Sequence, residues 1–328
     1  MNMETNSGMI HAFTIDGQGA GISLSGDDNV AAIVESEQLA WVHFDVNDPN
    51  SKIWLETKLG FLDSIIVQAL VAEETRPRIL QFDQGTLLIL RGVNLNDDAR
   101  PEDMVSIRLW VDQYRIISVR RRKLKAVAEI RERLIAGKGP KNSGEFITML
   151  INSLFSRMEP VFSDLDERLD DSEERVMEKP GTELRQEITS IRKQAILFRR
   201  YIAPQRDVIA ALRTSDQLWL SIIDKRHLQE SLDQVIRYIE DIDAIRERAQ
   251  ITKDELTNAL SDKMNKNLYM LSVVAAIFLP LGFLTGLLGI NLGGIPGADM
   301  GNAFPIFCAM LVGVVILQIG LFRYLKWF

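Results

Sequence analysis

The chain is poor in the residues that build covalent and metal-bound scaffolds. It has one cysteine, Cys308, in 328 residues. A lone thiol excludes an intrachain disulfide framework and a thiolate metal cluster. There are three histidines, His11, His43 and His227. No phosphate-cradling glycine loop, no His-Glu-x-x-His helix and no nucleophile elbow is present, so enzymatic chemistry and a nucleotide site are not expected. Gly17-Gln18-Gly19-Ala20-Gly21 lacks a Lys-Ser/Thr ending and a following helix, and reads as a loop. The first residues, Met1 to Met9, carry no basic start and no apolar run, so no signal peptide is expected. Charge is scarce in one region only. From Leu268 onward the charged residues are Asp299, Arg323 and Lys326.

Two uncharged apolar segments fill that region, Leu268 to Ile290 and Ala303 to Phe322, joined by residues 291–302. Each has the roughly 20 residues needed to cross a ~30 Å hydrocarbon core as a helix. The chain therefore reads as a membrane protein. Lys263 and Lys266 precede the first span, Arg323 and Lys326 follow the second, and the connector has no Lys or Arg. The positive-inside rule puts both termini in the cytoplasm and the connector outside. Tyr269, Tyr324, Trp327 and Phe328 supply interfacial aromatics at the inner side. The rest of the chain holds 36 of the 38 basic and 44 of the 45 acidic residues, a net of −8. Nucleic acid needs a basic surface, so it is not an expected partner. An acidic surface is compatible with concentrating cations, and is also ordinary for a cytosolic domain.

Three regions are expected: an α/β cytosolic domain over 1–141, a helical stalk over 142–267 and a transmembrane region over 268–328. Trp41 to Val46 alternates like a strand and ends in the turn Asn47-Asp48-Pro49. Leu87 to Val93 reads as a buried strand, and Val105–Val111 with Tyr114–Val119 as a hairpin around Asp112-Gln113. Ile53–Leu70 and Leu124–Ile135 read as helices. Helical spacing then runs from Gly144 to Glu178 and from Leu184 to about Leu212, with Pro204 bending the second helix rather than ending it. The acidic series Asp164, Asp166, Glu167, Asp170, Asp171, Glu173 and Glu174 reads as a wet helix face. No Gly or Pro lies between Asp224 and Pro280. One helix, roughly 100 Å long at 1.5 Å per residue, should therefore run from near Asp224 into the first span. Such a helix ties movement of the cytosolic part to the membrane segment.

Two packed helices enclose no water path. Transport needs several copies around an axis, with one span from each lining the pore. The first span is the better liner because Gly282 and Gly286 form a Gly-x-x-x-Gly spacing. One helical face carries Gly286, Gly282, Leu279, Ala275, Leu271 and Leu268. Its bulky inner residues suit an apolar constriction that gates by dewetting. Pro280 frees a backbone carbonyl near Ala276, a candidate additional oxygen ligand. His227 stands three residues from Asp224 and from Glu230, a candidate weak metal site on one helix face.

Gly289-Ile290-Asn291, at the end of a C-terminal first span and ahead of a short acidic loop, resembles the signature of the CorA family of divalent-cation transporters. That signature is Gly-Met-Asn, so Ile290 is a departure from the magnesium-channel pattern. Phe278-Leu279-Pro280, Phe283 to Leu287 and Gly289 to Gly297 are similar to the zinc-transporting ZntB branch. Glu74 to Arg78 and Arg199 to Asp207 agree with it, so the resemblance covers nearly the whole chain.

The resemblance implies a homopentameric funnel in the bacterial inner membrane. Five copies of the first span would line the pore, with an Asn291 ring at its outer mouth and Gly289 allowing close backbone approach. The cargo implied is zinc, with cadmium, nickel and cobalt also expected because no His and only one Cys lies in the spans. No cofactor is expected. Asp299 would attract cations or keep the loop soluble. Direction and proton coupling stay open. A CorA-type magnesium channel and, from another class, a membrane-anchored scaffold are the alternatives.

Overall fold

The computed structural model describes residues 8–73, 76–289, 297 and 300–324. Seven strands form one sheet: β1 (Met9–Ile15), β2 (Gly21–Ser23), β3 (Ala40–Asp45), β4 (Arg78–Phe82), β5 (Gly85–Gly92), β6 (Val105–Val111) and β7 (Arg115–Arg120). Helices α1 (Asp27–Glu35), α2 (Pro49–Lys58) and α3 (Ser64–Val71) are interleaved with them. The helices α4 (Lys125–Ile135), α5 (Ser143–Ser156), α6 (Glu159–Glu178), α7 (Leu184–Arg213), α8 (Ile222–Leu288) and α9 (Ala303–Tyr324) follow. The chain divides into two compact units, Met1–Asp254 and Glu255–Phe328, and α8 contributes to both.

The strand order is β2-β1-β3-β7-β6-β5-β4. Every neighbouring pair is antiparallel except β3 with β7, where Trp41 faces Ile116 and Phe44 faces Val119. Strands β5 and β6 are buried almost throughout. Helices cover both sheet faces, which is why Leu87 to Leu90 is a continuous apolar run rather than an alternating one. On one face Phe44, Leu87, Trp110 and Val119 pack with Trp54, Leu55, Ile66 and Leu70 of α2 and α3. On the other, Trp41 meets Phe146 of α5 edge-on, with ring centroids 5.0 Å apart.

Two helix expectations need correction. Ile53–Leu70 is two helices, because Asp63 starts a new one by accepting a hydrogen bond from the Ile65 N–H at 2.9 Å. Gly144–Glu178 is broken at Arg157-Met158. Pro160 in the first turn of α6 has no N–H for the preceding turn, which suits a helix start. Pro204, by contrast, lies inside a continuous α7.

The alternation of β3 does not mark a wet face, since His43 is fully buried. Its Nδ1 lies 2.7 Å from Ser118 Oγ, and its ring stacks on His11 at 5.0 Å. Burial, then His11 and Arg120, hold His43 well below the usual imidazole range. Burial, then Arg131 and Arg120, lower His11 to about 4. Both folded values lie below the unfolded one, so the unfolded chain takes up protons first as the solution is acidified. Stability is complete above about pH 6.5 and falls as the pH drops towards 4, with His11 alone contributing up to about 3 kcal/mol. Thermal unfolding of the full chain between pH 7 and 4 checks this. His11→Gln should flatten the loss, and an unchanged slope would exclude His11.

The acidic face of α6 is not merely solvated. Arg248 of α8 reaches Asp166 at 2.8 Å, Glu173 at 2.6 Å and also Asp170. Thr252 Oγ1 adds a 3.2 Å bond to Glu173. Asp164 and Asp171 pair within α6, with Arg168 and Arg175. The three carboxylates around Arg248 repel one another without it. Arg248→Met is therefore expected to lower stability by about 1–2 kcal/mol at low salt, the side chain being one-third exposed and partly screened. A melting-temperature deficit that shrinks in high salt supports this, whereas a salt-independent deficit assigns the effect to packing.

Candidate functional site in the apolar helices

Among the described residues, two helices are long and apolar enough to cross a membrane, the end of α8 and α9. Their uncharged composition makes water a poor solvent for them, and their backbones satisfy their own hydrogen bonds. Polar side chains inside α8 follow the same logic. Ser272 Oγ donates to the Leu268 carbonyl at 2.9 Å, and Thr285 Oγ1 donates to the Leu281 carbonyl at 2.9 Å.

The two helices meet along matching stripes. On α9, Ala303, Phe307, Leu311, Val314, Val315, Gln318 and Phe322 are the less exposed residues, at spacings of three, four and one. On α8, Val273, Ala276, Ile277, Leu281 and Leu284 are partly covered. At 100° per residue the expected lining positions lie on the opposite side of α8. Leu268, Leu271 and Leu279 there are 54%, 65% and 71% exposed within the single chain. Ala275 is half-buried, and a Cβ added at Gly282 or Gly286 would touch nothing within 4 Å. The structure thus places the six expected lining residues on one side of α8, five of them open and Ala275 partly covered. Gly289 ends the described part of this segment. Its N–H donates to the Thr285 carbonyl at 2.9 Å, and a Cβ there would sit 2.8 Å from that same oxygen. Ile290, Asn291 and Asp299 lie outside the described residues.

Two candidate ligand sets change. The Ala276 carbonyl freed by Pro280 is engaged, because Gln318 Nε2 donates to it at 3.4 Å. It lies on the α9 side of α8, not with the expected lining positions. In the sequence Gln318 is one carboxamide in an apolar run that no local spacing singles out; its partner on another helix gives it meaning.

The Asp224, His227 and Glu230 set is not assembled. Asp224 is buried, and its Oδ2 accepts from the Ser221 N–H at 2.8 Å while Ser221 Oγ accepts from the Asp224 N–H at 3.1 Å. This reciprocal cap starts α8. Gly144 is needed beside it, since a Cβ there would lie 2.2 Å from Oδ2. His227 Nδ1 keeps Glu230 at 3.8 Å, at the surface. Among the described residues no group of three or more His, Cys, Asp or Glu is placed to hold a metal ion.

A sheet-bearing N-terminal region, long helices and a C-terminal pair of apolar helices define a class of membrane protein whose last two helices do the membrane work. Residues 36–326 match the family described as CorA-like Mg2+ transporter protein. The chain belongs to the CorA family of metal-ion transporters. It is 40% identical over 310 residues to the zinc transport protein ZntB of Pectobacterium atrosepticum, covering 94% of this chain and 93% of that one. It is 36% identical over 322 residues to the divalent cation transporter CmaX of Pseudomonas aeruginosa, covering 98% and 97%. The solved structure of full-length CmaX superposes with a TM-score of 0.85 at 36% identity, covering 99% of this chain and all of that one. The CorA magnesium transporter of Methanocaldococcus jannaschii shares the fold, with a TM-score of 0.79 at 19% identity over 97% of this chain and 99% of that one.

Proposed function

We propose that this protein carries zinc, and with it cadmium, nickel and cobalt, across the bacterial inner membrane through a pore built by five copies of the chain. The open face of α8, turned away from α9, carries the reading. A stripe of exposed leucines and glycines has no packing partner among the described residues, and rotational symmetry supplies one. Five copies place Leu268, Leu271, Ala275, Leu279, Gly282 and Gly286 around a common axis. Gly289, Ile290 and Asn291 follow at its outer end, with Asp299 in the external loop. Both termini lie in the cytoplasm. The ion crosses at least partly hydrated, because the described lining offers no imidazole, thiolate or carboxylate for a tetrahedral set. Selectivity by ligand softness is accordingly weak. The relatives named for zinc transport, and Ile290 in place of the family's methionine, support zinc over magnesium.

Zinc flux into proteoliposomes, with and without a pH gradient, tests substrate, direction and proton coupling together. Magnesium flux that exceeds zinc flux would assign the chain to the magnesium branch. Strict rejection of cadmium, nickel and cobalt would contradict passage of a hydrated ion. A monomer in lipid would leave only a membrane anchor.

A further inference from the structure

Pro280 has no N–H, so the carbonyl of Ala276 loses the donor that every other turn of a helix supplies. In a hydrocarbon layer no water replaces it. Gln318 Nε2 of α9 reaches that carbonyl at 3.4 Å. The carboxamide's own Oε1 is buried without a hydrogen-bond partner among the described residues. A leucine at 318 would pack the same stripe and orphan no acceptor of its own. The need of Ala276 is what accounts for a glutamine here.

Resting on the reading of α8 as the conducting helix, we propose that Gln318 is a positioning residue for it. Its amide takes the place of the N–H that Pro280 lacks. It thereby pins the weak point of α8 to α9 and fixes the rotational setting of Leu279, Gly282 and Gly286 beyond it. Ser272 and Thr285 do not share this role, because their hydroxyls bond to carbonyls of their own helix. Gln318 touches the ion at no stage. It acts through the helix it holds.

The chemistry sets its own control. Pro280→Ala restores an N–H that can donate to Ala276, and Gln318 then becomes dispensable. Four full-length proteins are compared in proteoliposomes: unsubstituted, Gln318→Met, Pro280→Ala and the double variant. Methionine keeps the length of the side chain and removes the donor. Gln318→Met is expected to lower maximal zinc flux per assembled protein at least fivefold, with the half-saturating zinc concentration unchanged. In the Pro280→Ala background the same change should cost less than twofold. Melting temperatures in detergent should show the same coupling. Equal losses in both backgrounds, including failure to assemble in both, overturn the proposal.

Should Pro280→Ala not assemble, the carbonyl stretch of isotopically labelled Ala276 reads the bond directly. It should rise in frequency in Gln318→Met, and an unmoved band rejects the bond. Absence of zinc flux in the unsubstituted protein would defeat the transport reading instead, while the melting-temperature cycle still reports on Gln318.

Discussion

Asn291→Ala is expected to abolish zinc flux while the protein still assembles. A carboxamide presents a neutral oxygen acceptor and two N–H donors. Five such groups in a ring can hold the water shell of a divalent ion without trapping it, whereas five carboxylates would bind far more tightly. Conduction needs release as well as entry. In the proposed assembly, alanine would remove every one of these contacts at once and leave an apolar mouth that a hydrated ion has no reason to enter. A fall of roughly a hundredfold corresponds to about 2.7 kcal/mol of barrier, a modest demand on five lost carboxamides. Undiminished zinc flux from correctly assembled Asn291→Ala would remove this residue from the entry site.

Leu279→Asn should have the opposite sign. Leu279 is 71% exposed in the single chain and sits between the smaller residues Ala275 and Gly282 on the open face of α8. In the proposed assembly five copies make an apolar collar, and water leaves such a collar when it is narrow. An asparagine ring of nearly the same volume keeps the width and supplies hydrogen-bonding groups that hold water in place. The barrier to ions in the closed state then drops. We expect resting leak of zinc and sodium to rise roughly tenfold, an effect of about 1.4 kcal/mol. Leak indistinguishable from that of the unsubstituted protein would show that the constriction lies elsewhere.

That six positions share one side of α8 was legible because helical periodicity is a local property, and spacings of three and four need nothing from the rest of the chain. The same holds for β5, where Leu87-Leu88-Ile89-Leu90 marks a strand buried on both faces, and for β6 and β7, whose short β-branched segments flank the turn at Asp112-Gln113. β1, β2, β4 and α1 gave no comparable signal. β2 is three residues long, and β4 is a half-exposed edge of mixed polarity. Each exists because a neighbouring strand supplies its hydrogen bonds. Arg248 and its carboxylates are 75 to 82 residues apart in the chain, and Gln318 is 42 from Ala276. Such pairings leave no trace in local spacing. Asp224 shows the converse error. Helical spacing places it beside His227, but its carboxylate is spent on starting the helix.

The sheet pairs β3 with β7 across more than seventy residues, and its last strand ends at Arg120, roughly 150 residues before the apolar end of α8 begins. A ribosome adding 5–20 residues per second needs about 7 to 30 s for that stretch. Non-local β topologies of this kind mature in milliseconds to seconds. The slowest part of the molecule is thus complete before its stickiest part is synthesised. A nascent chain arranged this way shows the insertion machinery a paired sheet well ahead of its greasy C-terminal helices, so unpaired strand edges and bare membrane helices are not exposed to each other at the same moment.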